Sequence, residues 1–212
     1  MKYFVANWKA NKNFAEINDW INVFLKKYQP SNNVKIIICP PFPFLLFLYK
    51  KLEGYNNIFL GTQDISQFDN GPFTGEVTAS MVTDLAKYTI VGHSERRQYF
   101  SEDESIIKKK INQAIKYKLE PILCIRDIKD KIFDEVKIVA YEPVSAIGSG
   151  NNEPVEKVLQ FKKRLKLPKK IIFLYGGSVN EFNAKNYLNK EIDGLLIGNA
   201  SLNPIQLIKI IS

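Results

Sequence analysis

The chain has 212 residues, 45% of them hydrophobic and 25% charged, with 30 Lys plus Arg against 22 Asp plus Glu for a net charge of +8. That balance excludes a disordered chain, a collagen and a disulfide-stapled miniprotein, and it allows a sizeable core in one domain spanning residues 1–212. Cys39 and Cys124 lie in apolar runs and read as buried free thiols, while the lysines are spread along the chain and read as solvated charge rather than a nucleic-acid footprint.

Short apolar runs recur in chain order: Tyr3–Ala6, Val34–Cys39, Ile58–Gly61, Tyr88–Val91, Pro121–Ile125, Lys137–Tyr141, Ile171–Tyr175 and Gly194–Ile197. Interiors such as Ile36-Ile37-Ile38 are continuously apolar, as parallel strands buried on both faces require. Between them the spacing predicts helices over Phe14–Tyr28, Phe44–Leu52, Val77–Ala86, Asp103–Tyr117, Pro154–Leu165, Asn183–Leu188 and Pro204–Ile211. Eight strand–helix alternations fit an α/β fold closed as a (β/α)8 barrel, with an open doubly wound sheet as the competing topology. No stretch approaches the ~18 apolar residues of a membrane span, and the amino-terminal residues read as a strand rather than a signal peptide, which points to the cytoplasm.

The chemistry-bearing segments follow the predicted strands. They are Asn7-Trp8-Lys9, Gly92-His93-Ser94-Glu95, the run from Glu142 to Gly150, Gly176-Gly177-Ser178 and Gly198-Asn199. In a parallel barrel all strand C-terminal ends share one face, where active sites form. His93 is the sole histidine; a helix starting beyond it, capped by the Ser94-Glu95 pair, would favour the neutral ring. Glu142 ends a hydrophobic strand, and enclosure there would raise its pKa toward that of a general base. Ser145 to Gly150 suits a lid with glycine hinges, and the other glycines allow backbone N–H groups to approach a phosphate.

These strings, with GPFTGEVTASM at Gly71–Met81, VGHSERR at Val91–Arg97, AYEPVSAIGSG at Ala140–Gly150 and IGNASL at Ile197–Leu202, resemble the triosephosphate isomerase family in order and over nearly the whole chain. The resemblance implies a cofactor-free, metal-free aldose–ketose isomerase acting on a triose phosphate. It implies Glu142 as the base, His93 as the electrophile, Lys9 and Asn7 as donors to the substrate, and Glu95 as the carboxylate accompanying Lys9. Gly148, Gly176, Gly177, Ser178, Gly198 and Asn199 would form the phosphate site. A homodimer would form through the Gly71–Gly75 loop with Gln63 and Asp64, Thr74 reaching toward the partner's Asn7 and Lys9. Competing readings are another sugar-phosphate barrel enzyme and a non-catalytic basic scaffold.

Three departures stand out. At 212 residues the chain is about 40 short of the ~250 of the fold, and only Arg126–Val136 separates strands five and six, so the outer helix there is shortened or missing and apolar flank is left to be covered. Ser145 stands where the family usually has tryptophan. Asn199 replaces a usual glycine, and asparagine tolerates positive φ.

Overall fold

A computed structural model describes residues 1–143, 152–188 and 191–212. The elements run β1 (Lys2–Asn7), α1 (Phe14–Lys27), β2 (Val34–Cys39), α2 (Leu45–Lys51), β3 (Ile58–Thr62), α3 (Ala79–Val82), β4 (Tyr88–Val91), α4 (Ser94–Tyr99), α5 (Glu104–Lys116), β5 (Glu120–Ile125) and β6 (Ile138–Tyr141). They continue with α6 (Val155–Leu165), β7 (Ile172–Tyr175), α7 (Ala184–Tyr187), β8 (Gly194–Ile197) and α8 (Pro204–Ile211). The eight strands pair in sequence order, all parallel, and β8 returns to β1, closing the barrel. The open-sheet alternative is excluded by that closure.

Alternation along the strands sorts the core into two parts. Val5, Ile37, Ile90, Ile122, Cys124, Ala140, Leu174 and Leu196 fill the barrel interior. Their neighbours Phe4, Ala6, Ile36, Ile38, Val91, Leu123, Val139 and Phe173 face outward and pack with α1, α5, α6 and α8 through Ile17, Ile21, Phe24, Ile111, Val158 and Leu207. α1 is fixed at its start by a capping box, Asn13 accepting from the Glu16 N–H while the Glu16 side chain accepts from the Asn13 N–H.

Some predicted elements shrink. The helix expected over Val77–Ala86 is only Ala79–Val82. Thr78 and Ser80 give their hydroxyls to Asn70 Oδ1, and Thr83 gives its hydroxyl to the Tyr117 carbonyl, so the segment is pinned to neighbours instead of extending. The helix expected from Phe44 is preceded by a 3-10 turn at Phe42–Phe44. A 3-10 turn at Asn199–Leu202 precedes α8.

The β5–β6 crossover contains no helix. Phe133 and Val136 tuck into the outer core, so Ile125, Leu123 and Val139 stay fully buried without the missing helix. Asp130 anchors the segment: it accepts from the Arg126 N–H at 2.7 Å, holds the Arg126 guanidinium at 2.7 Å, and lies 3.7 Å from Arg97.

Candidate active site

The C-terminal mouth of the barrel is assembled from strand ends. Asn7 is the last residue of β1 and is buried; its Oδ1 accepts the Lys9 N–H at 3.0 Å. That bond tightens the turn and leaves Lys9 at φ 53°, in the left-handed region. Gln63, just past β3, donates to the carbonyls of both Lys9 and Cys39 at 2.9 Å. Lys9 Nζ then meets Glu95 Oε1 at 2.5 Å. The lysine ammonium is thereby aimed by its own backbone, by an amide below it and by a carboxylate beside it.

His93 follows β4 and is itself the N-cap of α4, its Nδ1 accepting the Glu95 N–H at 3.2 Å. The cap expected from Ser94-Glu95 is therefore made one residue earlier, by the imidazole. With Nδ1 accepting, this geometry is that of the neutral ring with its proton on Nε2, pointed at Glu142 Oε1 3.0 Å away. Glu142, directly after β6, is only 2% exposed and accepts the Ser94 N–H at 3.3 Å with its other oxygen.

The titration of this pair departs from the sequence expectation. Burial pushes the Glu142 carboxyl up, but His93 and the Ser94 N–H outweigh it and hold it below its ordinary value, not above. Burial pushes the His93 imidazole down, but the Glu142 and Glu95 carboxylates outweigh it and raise it, where a lowered value was expected. Both shifts depend on Glu142 remaining in its seat against His93. A carboxylate leaving that seat for the cavity would surrender the contacts that depress it and would release the imidazole toward its neutral form.

Asn7, Lys9, His93, Glu142, Gly176, Ser178, Gly198 and Asn199 line one cavity of about 410 Å³. Gly176 is required by Glu142, because a Cβ there would lie 2.9 Å from the Glu142 Cγ. Ser178 has φ 32°, and its carbonyl is held by the Asn183 side chain at 3.1 Å. Asn199 has no positive φ; it opens the 3-10 turn, exposed at the cavity rim, so the tolerance expected of asparagine is not called upon. Gly177 is buried behind the wall and does not line the cavity. Gly148 and Ser145 lie outside the described residues.

Sequence reasoning missed Val179, Asn180, Leu196, Ala200 and Gln206, which also line the cavity. Leu196 was accessible from alternation in β8. Gln206 comes from the first turn of α8, behind the Pro204 start and the Asn203 cap, and no strand-end pattern reaches it.

The Gly71–Gly75 loop lies apart from the cavity. Phe68 and Phe73 stack at 4.1 Å, the Glu76 N–H closes a turn on the Phe73 carbonyl at 3.0 Å, and Thr74 is exposed on that turn. Gln63, assigned with this loop by resemblance, braces Lys9 within its own chain. Asp64 joins a buried cluster in which Lys110 meets Asp64 at 2.6 Å and Glu102 at 2.5 Å, and Arg96 meets both carboxylates. Among the described residues no group of three or more His, Cys, Asp or Glu could hold a metal ion, and no helix is long and apolar enough to cross a membrane.

A family model described as triosephosphate isomerase matches residues 2–212. The chain is 37% identical to the triosephosphate isomerase of Aquifex aeolicus, over 99% of this chain and 98% of that protein. It is 37% identical to that of Dictyoglomus turgidum over 96% and 95%, and 36% identical to that of Mesomycoplasma hyopneumoniae over 99% and 98%. A closed barrel with this mouth, matched along its whole length, settles its kinship: the chain belongs to the triosephosphate isomerase family.

Proposed function

We propose that the chain interconverts dihydroxyacetone phosphate and D-glyceraldehyde 3-phosphate through an enediol(ate), with Glu142 moving the carbon-bound proton. The observation that supports this reading is the convergence of Asn7, Lys9, His93 and Glu142 on one cavity. Abstraction beside a carbonyl needs a base, and it needs donors already aimed at the oxygen where charge develops. Nε2–H of His93 and the Lys9 ammonium supply the donors. Glu142 swings from its seat against His93 and Ser94 toward the substrate. Losing those contacts strengthens it as a base, and losing the carboxylate keeps His93 neutral as a donor. Ser178, Gly198 and Asn199, which line the same cavity, receive the phosphate on backbone N–H groups.

The working form in this proposal is a homodimer joined by the Gly71–Gly75 loop, with Thr74 approaching the partner subunit's mouth. Supporting it are the exposure of Thr74 and the preordering of its loop by the Phe68–Phe73 stack.

A coupled assay from glyceraldehyde 3-phosphate tests the chemistry. Turnover that collapses in Glu142→Gln, with an unchanged circular dichroism spectrum, is the expected result. A wild-type chain inactive at micromolar concentration would leave the scaffold reading in place. Sedimentation should give twice the chain mass, and a monomer at micromolar concentration would refute the dimer.

A further inference from the structure

The barrel has a second mouth. At the N-terminal ends of the strands, Tyr3, Lys35, Tyr88, Glu120, Ile138 and Ile172 line a cavity of about 360 Å³. Lys87 and Lys137, immediately ahead of β4 and β6, and Lys118, two residues ahead of β5, complete its lining. Residues distant in sequence meet here for the same reason as at the opposite end: parallel strands bring all their starts to one face.

The charge is one-sided. Among the lining residues four lysines face one carboxylate, Glu120, which Lys137 engages at 3.2 Å; the Asp193 carboxylate just ahead of β8 also acts on Tyr3 but is held by the Phe173 N–H at 2.8 Å and by Lys162 at 4.0 Å. Among the described residues Lys35, Lys87 and Lys118 have no carboxylate within ion-pair distance. Lys35 is nonetheless held in place, its ammonium 5.1 Å from the Tyr3 ring and 5.2 Å from the Phe59 ring. Three uncompensated ammonium groups around a concavity with an aromatic floor form a focused positive potential.

We propose that this N-terminal mouth binds a compact oligophosphate anion, two or more linked phosphate groups. The rim supplies lysines and no arginine, so it offers point charges that multiply with ligand charge rather than a fork for one planar oxyanion. It is an open concavity confined to the starts of neighbouring strands rather than an extended stripe, which suits a short anion better than a nucleic-acid strand. Binding there touches none of the residues of the catalytic mouth, since the packed interior from Val5 to Leu196 lies between the two.

Titration calorimetry with inorganic triphosphate at low salt tests the site. The expected result is saturable binding that leaves the KM of the isomerase assay unchanged. The Lys87→Gln/Lys118→Asn double variant should bind at least roughly tenfold more weakly. Asparagine is chosen because Lys118 has φ 61°. Glu120→Gln should bind more tightly, because it frees Lys137 and removes the one carboxylate that lines the cavity; it also decides the matter alone if the double variant does not fold. Absence of heat, equal affinity in both variants, or triphosphate binding that competes with the triose phosphate substrate would each overturn the proposal. A longer oligonucleotide binding more tightly than triphosphate, per phosphate, would overturn it in favour of a nucleic-acid partner.

Discussion

The two mouths of this barrel are built by one rule and end in opposite chemistry. Along each strand every second side chain points inward, so both ends receive one ring of residues. At the C-terminal ring the charges are paired, each within 3.0 Å: Lys9 with Glu95, half-buried, and His93 with Glu142, enclosed. At the N-terminal ring Lys35, Lys87 and Lys118 stand without an ion-pair partner beside the Lys137–Glu120 pair. Paired buried groups have titrations that respond to a move of one ångström, which is what a proton-transfer site needs. Unpaired rim lysines respond only to the arrival of an anion. The same fold thus keeps a reactive end and a merely electrostatic end apart by the thickness of its core.

The largest test of that separation is Glu142→Gln. Removing a general base costs roughly 10^2- to 10^4-fold in rate, so kcat in the coupled assay should fall by that factor while triphosphate binding at the other end is unchanged. A fall below tenfold would mean that the seated pair is structural and the proton moves elsewhere.

Glycines at the two ends sharpen the contrast next. A Cβ on Gly194 would sit 1.9 Å from the Tyr3 carbonyl oxygen, backbone that cannot give way. Gly194→Ala should therefore destabilise by about 3 kcal/mol or more, a fall in Tm of roughly 6–12 °C. A Cβ on Gly176 would instead press on the Glu142 side chain at 2.9 Å. Gly176→Ala should keep the Tm within a few degrees and lower kcat roughly tenfold by misplacing the carboxylate. Equal thermal losses in the two variants would erase the distinction between a closure glycine and a site glycine.

Much of this was legible beforehand, for a definite reason. Asn7, His93, Glu142, Gly176 and Gly198 each sit at the end of a continuously apolar strand, and parallel closure converts that shared position into proximity. What the pattern could not show were relations set by side-chain conformation or by helices. The seat of Glu142 on His93 inverts the pKa shifts that enclosure alone suggests. Gln206 reaches the cavity from α8. Lys110, one of three consecutive lysines, reads as solvated but is 4% exposed between Asp64 and Glu102. Burial there pushes the Asp64 carboxyl up to about 6 despite its cationic neighbours. The lysines of the N-terminal mouth read as scattered because each belongs to the start of a different strand, although the rule that gathers the residues of the C-terminal cavity gathers them too.

The ends should also respond to opposite pH limits. Glu142 is held below its ordinary 4.5, so its contribution to stability is present above that pH and is lost as pH falls through the folded value. His93 is raised above its ordinary 6.5, so its contribution is complete below 6.5 and is lost as pH rises through the folded value. The seated pair therefore stabilises most between those two pH values. At the N-terminal end burial pushes the Tyr88 hydroxyl up to about 12 from 10, a contribution complete below pH 10 and lost above it. Thermal melts across pH should show the acidic and near-neutral dependence flattened by Glu142→Gln, and the alkaline loss reduced by Tyr88→Phe. A Glu142→Gln profile parallel to wild type would mean that the pair contributes no linkage.

The smallest expected effect concerns the net charge of +8. A positive molecule gathers anionic substrate, and long-range attraction raises association rates in a way that salt suppresses. Two of those charges vanish in Lys87→Gln/Lys118→Asn, at the end of the barrel away from the cavity. With a Debye length of about 8 Å at physiological ionic strength, charges across the barrel are screened from the catalytic mouth. The variant should keep kcat/KM there and lose at most about twofold in 10 mM salt, where the Debye length is about 30 Å. Neutralising lysines on the catalytic face should instead lower kcat/KM at both salt concentrations. If the N-terminal pair lowered it equally at physiological salt, the two mouths would be electrostatically coupled through the core, and the separation between a reactive and a merely charged end would have to be abandoned.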